Sequence, residues 1–107
     1  MENQIKNELD LLTDIILHTI PVEQIILFGS YAGKTQHDDS DLDIYVVMQE
    51  NADIREIDAM RLIRKAIRNK KTMPVDIVVS RASKFNRRKL APSIERQIAE
   101  DGVLLYG

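Results

Sequence analysis

Two aspartates, Asp41 and Asp43, stand one residue apart at the head of an apolar run, separated by ten intervening residues from the Gly29-Ser30 pair that ends an earlier apolar run. On an extended strand, residues i and i+2 leave the same face, so both carboxylates point the same way. Like charges held that close repel each other, and one pKa rises unless a cation lies between them. Mg²⁺ suits the position, because hard divalent ions take carboxylate oxygens and share their sphere with substrate phosphates. A third aspartate, Asp76, interrupts the apolar run from Val75 to Val79. A charge inside such a run costs free energy unless it is paired or bound to metal. If that strand lies beside the one carrying Asp41 and Asp43, three carboxylates can hold two metal ions. Two ions can activate an attacking hydroxyl and stabilise a leaving pyrophosphate. Gly29 and Ser30 supply the complement. Glycine lets backbone approach a ligand closely. A helix starting just after it aims free N–H groups at a phosphate, and the Ser30 hydroxyl adds a donor.

Each signal has a bland reading when taken alone. Asp-x-Asp is common, "DDSDLD" reads equally as a solvated loop entering an edge strand, and Asp76 can cap a turn after Pro74. The signals gain weight jointly, because all fall at strand ends of one α/β pattern. Asp76 is the test: on the opposite face of the sheet it would break the assignment.

The hydrophobic pattern predicts a first helix over residues 3–19, with Ile5, Leu9, Leu12, Ile16 and Ile20 on one stripe and Pro21 closing it. Residues 25–28 read as a buried strand, 30–35 as one or two helical turns, and 37–40 as a loop. Leu42, Ile44 and Val46 alternate with Asp41, Asp43 and Tyr45 as a strand with two usable faces. A second long helix is predicted over 54–70. Asp53 is its N-cap, Glu56 the capping-box partner, and Ile57, Met60, Ile63 or Arg64, and Ile67 mark its inner face. Residues 75–79 form a third strand, and 81–89 are basic and helical in part. Pro92 opens a last helix with Ile94, Ile98 and Ala91 inward, Gly102 is its C-cap, and 103–106 read as a short final strand or a packed tail. The expected fold is α/β, a small mixed sheet of three to four strands with flanking helices.

The 107 residues are read as one domain, 1–107, with room for a single core. The net charge of −2 is not that of a general nucleic-acid binder. No cysteines and only two histidines, His18 and His37, exclude disulfides, thiolate chemistry and a histidine metal cage. No apolar stretch has membrane-spanning length, and the polar, acidic N-terminus is not a signal peptide, so the expected location is cytoplasmic.

Gly29-Ser30, ten residues, then Asp41-x-Asp43, with the later segment "VDIVV", resembles the signature of the minimal nucleotidyltransferases of the DNA polymerase β-like superfamily. The resemblance spans essentially the whole chain. It implies that Gly29 and Ser30 contact nucleotide phosphates and that Asp41 and Asp43 hold two Mg²⁺ ions. Asp76 would complete the second metal site and assist deprotonation of the acceptor hydroxyl. One position departs: the family often has a second glycine where this chain has Lys34, and Gly33 comes one place earlier. Lys34 reads as a solvated lysine, with Gly33 supplying the local freedom. Minimal members that look like this often belong to two-gene toxin–antitoxin modules. By that resemblance the chain is an antitoxin that transfers AMP from ATP to a tyrosine of a helical HEPN-type toxin. Either such a partner or a homodimer completes the acceptor site.

Two other readings stand beside it. One is nucleotidyl transfer to a small molecule such as an aminoglycoside, with Asp38 and Asp39 in an acidic pocket. The other is a catalytically silent module that neutralises a partner by contact; repelling carboxylates have no purpose in a pure binder. The basic clusters at 61–71 and 81–89 read first as solvated faces. With five aromatics there is little stacking platform, so direct nucleic-acid binding is not expected. Tyr31, beside the Gly-Ser turn, suits stacking on a base or packing equally.

Overall fold

The three-and-four periodicity of the N-terminal segment forms helix α1 (Asn3–Thr19), with Leu9, Leu12 and Ile16 buried. The computed structural model describes residues 3–33 and 41–107. Beyond α1 come β1 (Val22–Phe28), the single turn α2 (Ser30–Gly33), β2 (Leu42–Met48), α3 (Glu56–Ile67), β3 (Val75–Arg81), α4 (Ala82–Arg88), α5 (Ile94–Asp101) and β4 (Val103–Tyr106). The strands form one mixed sheet in the order β3-β2-β1-β4. β1 is antiparallel to both β2 and β4, whereas β2 and β3 run parallel. Parallel neighbours need a crossover, which α3 provides. The expected α/β architecture is therefore present, and residues 103–106 are a fourth strand rather than a packed tail. Lys34, His37, Asp38 and Asp39 lie outside the described residues.

Strand alternation divides the protein into two layers. Ile25 and Leu27 of β1, Leu42, Ile44 and Val46 of β2, and Ile77 and Val79 of β3 face α1 and α3 in the larger core. On the other face Ile26, Tyr45 and Val47 pack with Phe85 of α4 and Ile98 of α5, beside the partly buried Phe28 and Val78. Asp43 and Asp76 belong by the same alternation to this second face, beyond the end of its apolar cluster. The two cores thus fix the strands while leaving the Asp43–Asp76 end of the second face to polar groups. Glu8 of α1 adds a clamp near β3: its buried carboxylate accepts from the Thr72 backbone N–H at 2.7 Å and the Thr72 hydroxyl at 3.1 Å.

Four local expectations are corrected. α3 starts at Glu56 with Arg55 as its cap residue and no side-chain cap bond, so the Asp53–Glu56 capping box does not form. Glu56 instead accepts from the Arg81 backbone N–H at 2.9 Å. The Arg81 guanidinium donates to the carbonyls of Glu50, Ala52 and Ile54, holding that segment out of a helix. The inner stripe of α3 is Ala59, Ile63 and Ile67, with Met60 partly buried against the larger core as expected, whereas Ile57 is exposed. In α5 the cap is Ser93, whose hydroxyl accepts from the Arg96 N–H at 3.2 Å, so Pro92 lies before the helix. Ile94 and Ala91 are exposed, while Glu95 and Ile98 are buried. Gly102 does cap α5, but at φ −70° rather than left-handed. It is needed for space: a Cβ there would stand 2.5 Å from both Ile26 Cγ2 and the Ile98 carbonyl oxygen.

Candidate active site

The parallel register sets Asp43 directly beside Asp76, and the antiparallel register on its other side sets it beside Phe28. Asp76 therefore emerges on the same face as Asp43, as the sequence argument required. The Leu42 backbone N–H donates to the Pro74 carbonyl at 3.0 Å, tying the entries of the two strands together. Asp41, exposed, stands just before Leu42. Burial, then the negative charges of Asp76 and Asp41, pushes the Asp43 carboxyl above its ordinary value. Asp76 lies 3.8 Å from the Arg64 guanidinium of α3, with both side chains about half exposed. A pair so open to solvent is worth little in stability, but it leaves a cation beside the third carboxylate.

Among the described residues, no three carboxylate, imidazole or thiol side chains are gathered tightly enough to enclose an ion. The three aspartates are neighbours, not a closed cage. Mutual repulsion favours that spread, and it adds to burial, the larger cause, in raising the Asp43 carboxyl. The donor set is all hard oxygen, which fits Mg²⁺.

Gly29 completes the arrangement. It sits at φ +77°, in the left-handed region that side chains rarely adopt. A Cβ on Gly29 would collide with Asp43 Oδ2. The turn and the carboxylate are thus in direct contact, with no room between them for a side chain. α2 follows as one turn, closed by the Gly33 N–H to the Gly29 carbonyl at 3.0 Å. So short a helix offers first-turn N–H groups but little macrodipole, less than the sequence suggested. Tyr31 is partly buried against the larger core, which selects packing over stacking.

A cleft of about 590 Å³ opens beside Gly29. Phe28 and Ala32 line it on one side, and Ile94, Gln97 and Asp101 of α5 on the other. Sequence reasoning missed this wall. The available signal was the four-residue step from Gln97 to Asp101, which puts both on one helical face beside Ile94.

α5 is held against the sheet by a buried acid. Tyr45, two residues beyond Asp43, donates its hydroxyl to Glu95 Oε2 at 3.0 Å, and Arg88 Nε donates to Glu95 Oε1 at 2.7 Å. Burial pushes the Glu95 carboxyl up, but the hydrogen bonds from Arg88, the backbone and Tyr45 outweigh it, and the net direction is down. A depressed folded pKa stabilises the fold above the unfolded carboxyl value, and the benefit is lost as pH falls through the lower folded value. Glu95→Gln is therefore expected to be less stable than wild type by about 1–2 kcal/mol at pH 7, discounted for the half-exposed Arg88. Urea unfolding at pH 7 and at low pH would show the gap closing with acid. A gap that is constant with pH would remove the charge as its cause.

A family model described as "Polymerase beta, Nucleotidyltransferase" matches residues 10–107. No curated protein sequence matches the chain. Among solved structures, a candidate nucleotidyltransferase from Sulfolobus solfataricus superposes with a TM-score of 0.61 at 21% identity, covering 99% of this chain and 88% of the other. A toxin–antitoxin crystallised with AMP-PNP gives 0.57 at 25% identity, covering 92% and 73%. A mutant of the toxin–antitoxin MntA-HpeT, with two aspartates one residue apart changed to glutamate, gives 0.63 at 24% identity, covering 92% and 72%.

Proposed function

The chain belongs to the polymerase β nucleotidyltransferase family, and from that premise we propose that residues 1–107 act as one minimal domain transferring AMP from ATP to a hydroxyl. The observation that carries the reading is the in-register pairing of Asp43 with Asp76, with Gly29 packed against the Asp43 carboxylate. Asp41, Asp43 and Asp76 would hold two Mg²⁺ ions. Bound there, the ions would screen the triphosphate and offset the charge that develops on the departing pyrophosphate. The Gly29 turn and the Ser30 hydroxyl donate to phosphate oxygens. Asp76 receives the proton of the acceptor hydroxyl. The acceptor oxygen forms a bond to the α-phosphorus, the bond to the β-phosphate bridge breaks, and pyrophosphate leaves with that electron pair.

The acceptor we favour is a tyrosine on a helical HEPN-type toxin, with this chain its antitoxin, in the cytoplasm where ATP is present. Support comes from likeness to toxin–antitoxin structures, one with AMP-PNP and one altered at aspartates with the spacing of Asp41 and Asp43. Among the described residues, no helix is long and apolar enough to cross a membrane.

The test is transfer of label from ATP labelled at the α-phosphate, with the partner that co-purifies from the native host. Wild type should label the partner on tyrosine, and Asp41→Ala/Asp43→Ala should not. Absence of label with both proteins, while the partner stays equally bound, would replace transfer by neutralisation through contact. Label on a small molecule instead of a protein would move the acceptor to that class.

A further inference from the structure

The sheet order separates two sides of the carboxylate cluster. Asp76, the proposed proton acceptor, is on β3, whereas the Gly29 turn ends β1, beyond β2. An acceptor hydroxyl approaching Asp76 therefore comes from the β3 side. The rest of the nucleotide has the β1 side available, where the cleft begins at Gly29 and extends to α5. Its lining suits a planar heterocycle. Phe28, Ile94 and Ile98 give apolar surface, and Gln97 and Asp101 add two polar groups one helical turn apart. Ile94 is 52% exposed at the rim of this cleft, although its helix buries Glu95 next to it. Apolar surface beside a few placed polar groups is the usual composition of a ligand pocket.

Resting on the nucleotidyltransferase reading above, we infer that the cleft between α2 and α5 is the base pocket of the nucleotide donor and that Asp101, with Gln97, selects a base carrying an exocyclic amino group. The two side chains differ in what they admit. An ionised carboxylate only accepts hydrogen bonds, whereas a carboxamide both donates and accepts. The 6-amino group of adenine donates to Asp101. Hypoxanthine carries a carbonyl oxygen at that position and meets the carboxylate with two acceptors facing each other. A site built to bond a polar group discriminates strongly against an analogue lacking it, because its own groups are left unpaired.

The experiment compares binding of the α,β-methylene analogues of ATP and ITP by calorimetry in Mg²⁺, with no acceptor present. Wild type is expected to bind the adenosine analogue about tenfold more tightly than the inosine analogue, a modest case of such discrimination at a solvent-open cleft. Asp101→Asn, whose amide can turn to donate to the carbonyl, should close that gap by gaining affinity for the inosine analogue. Gln97→Ala should weaken the adenosine analogue without restoring the inosine one. Both positions are exposed, and unchanged circular dichroism would exclude misfolding. A wild-type ratio retained in Asp101→Asn overturns the base pocket while leaving the donor reading intact. Wild-type protein that binds neither analogue overturns the donor reading and this inference with it.

Discussion

Asp43→Asn is expected to lower nucleotidyl transfer by roughly a thousandfold or more, about 4 kcal/mol of transition-state stabilisation, while leaving the melting temperature unchanged or higher. The two effects have one origin. Asp43 lies between Asp76 and Phe28 in the sheet, and burial together with the charges of Asp76 and Asp41 pushes its carboxyl up. A carboxyl whose folded pKa is raised binds protons more tightly in the folded chain than in the unfolded one. Wherever it is ionised in both states, its charge opposes folding. Asparagine keeps the shape and removes the charge, so stability is released where function is lost. Thermal unfolding and label transfer, measured on the same preparation, check both halves. A large fall in melting temperature would make Asp43 a structural residue, and the loss of transfer would then say nothing about chemistry.

The placement of the carboxylates was legible because it follows from local rules. Alternation along β2 and an aspartate inside "VDIVV" were enough to predict a common face once the strands were neighbours. That they are neighbours was not legible. β2 and β3 are joined through α3, and parallel pairing depends on contacts distant in the chain. The same limit explains the helix starts. Asp53 and Glu56 have the spacing of a capping box, but the partner of Glu56 is Arg81, 25 residues away. In α5, apolar periodicity pointed Ile94 inward. The helix instead buries Glu95, whose charge is answered by Arg88 and Tyr45, and turns Ile94 to the cleft rim. No rule of hydrophobic pattern anticipates a buried acid, because its two partners come from other elements. For that reason Ile94 read as core rather than as cleft wall, which hid the weaker signal of the Gln97–Asp101 step beside it and with it the part of the site that concerns the nucleoside rather than its phosphates.

Gly29→Ala is expected to reduce transfer by about a hundredfold, on the scale of losing one positioned donor, and to destabilise the fold by about 1–2 kcal/mol. Part of the stability loss is conformational: φ of +77° forces Cβ against the backbone in any residue but glycine. The rest is steric, since the new methyl would occupy the space of Asp43 Oδ2. The clash is relieved most readily by rotation of the Asp43 side chain, which carries its carboxylate away from Asp76 and Asp41. Activity then falls because the carboxylates no longer face one point. A double-mutant cycle separates the two contributions. In an Asp43→Ala background the clash with the carboxylate disappears and only the 3.3 Å approach to the residue-43 Cβ remains, so Gly29→Ala should cost less stability than in wild type, with the strain of the left-handed backbone as the larger part. Equal costs in the two backgrounds would mean that the methyl is accommodated without moving Asp43. The turn would then act on phosphate alone, and the contact between the two halves of the site would have no mechanical consequence.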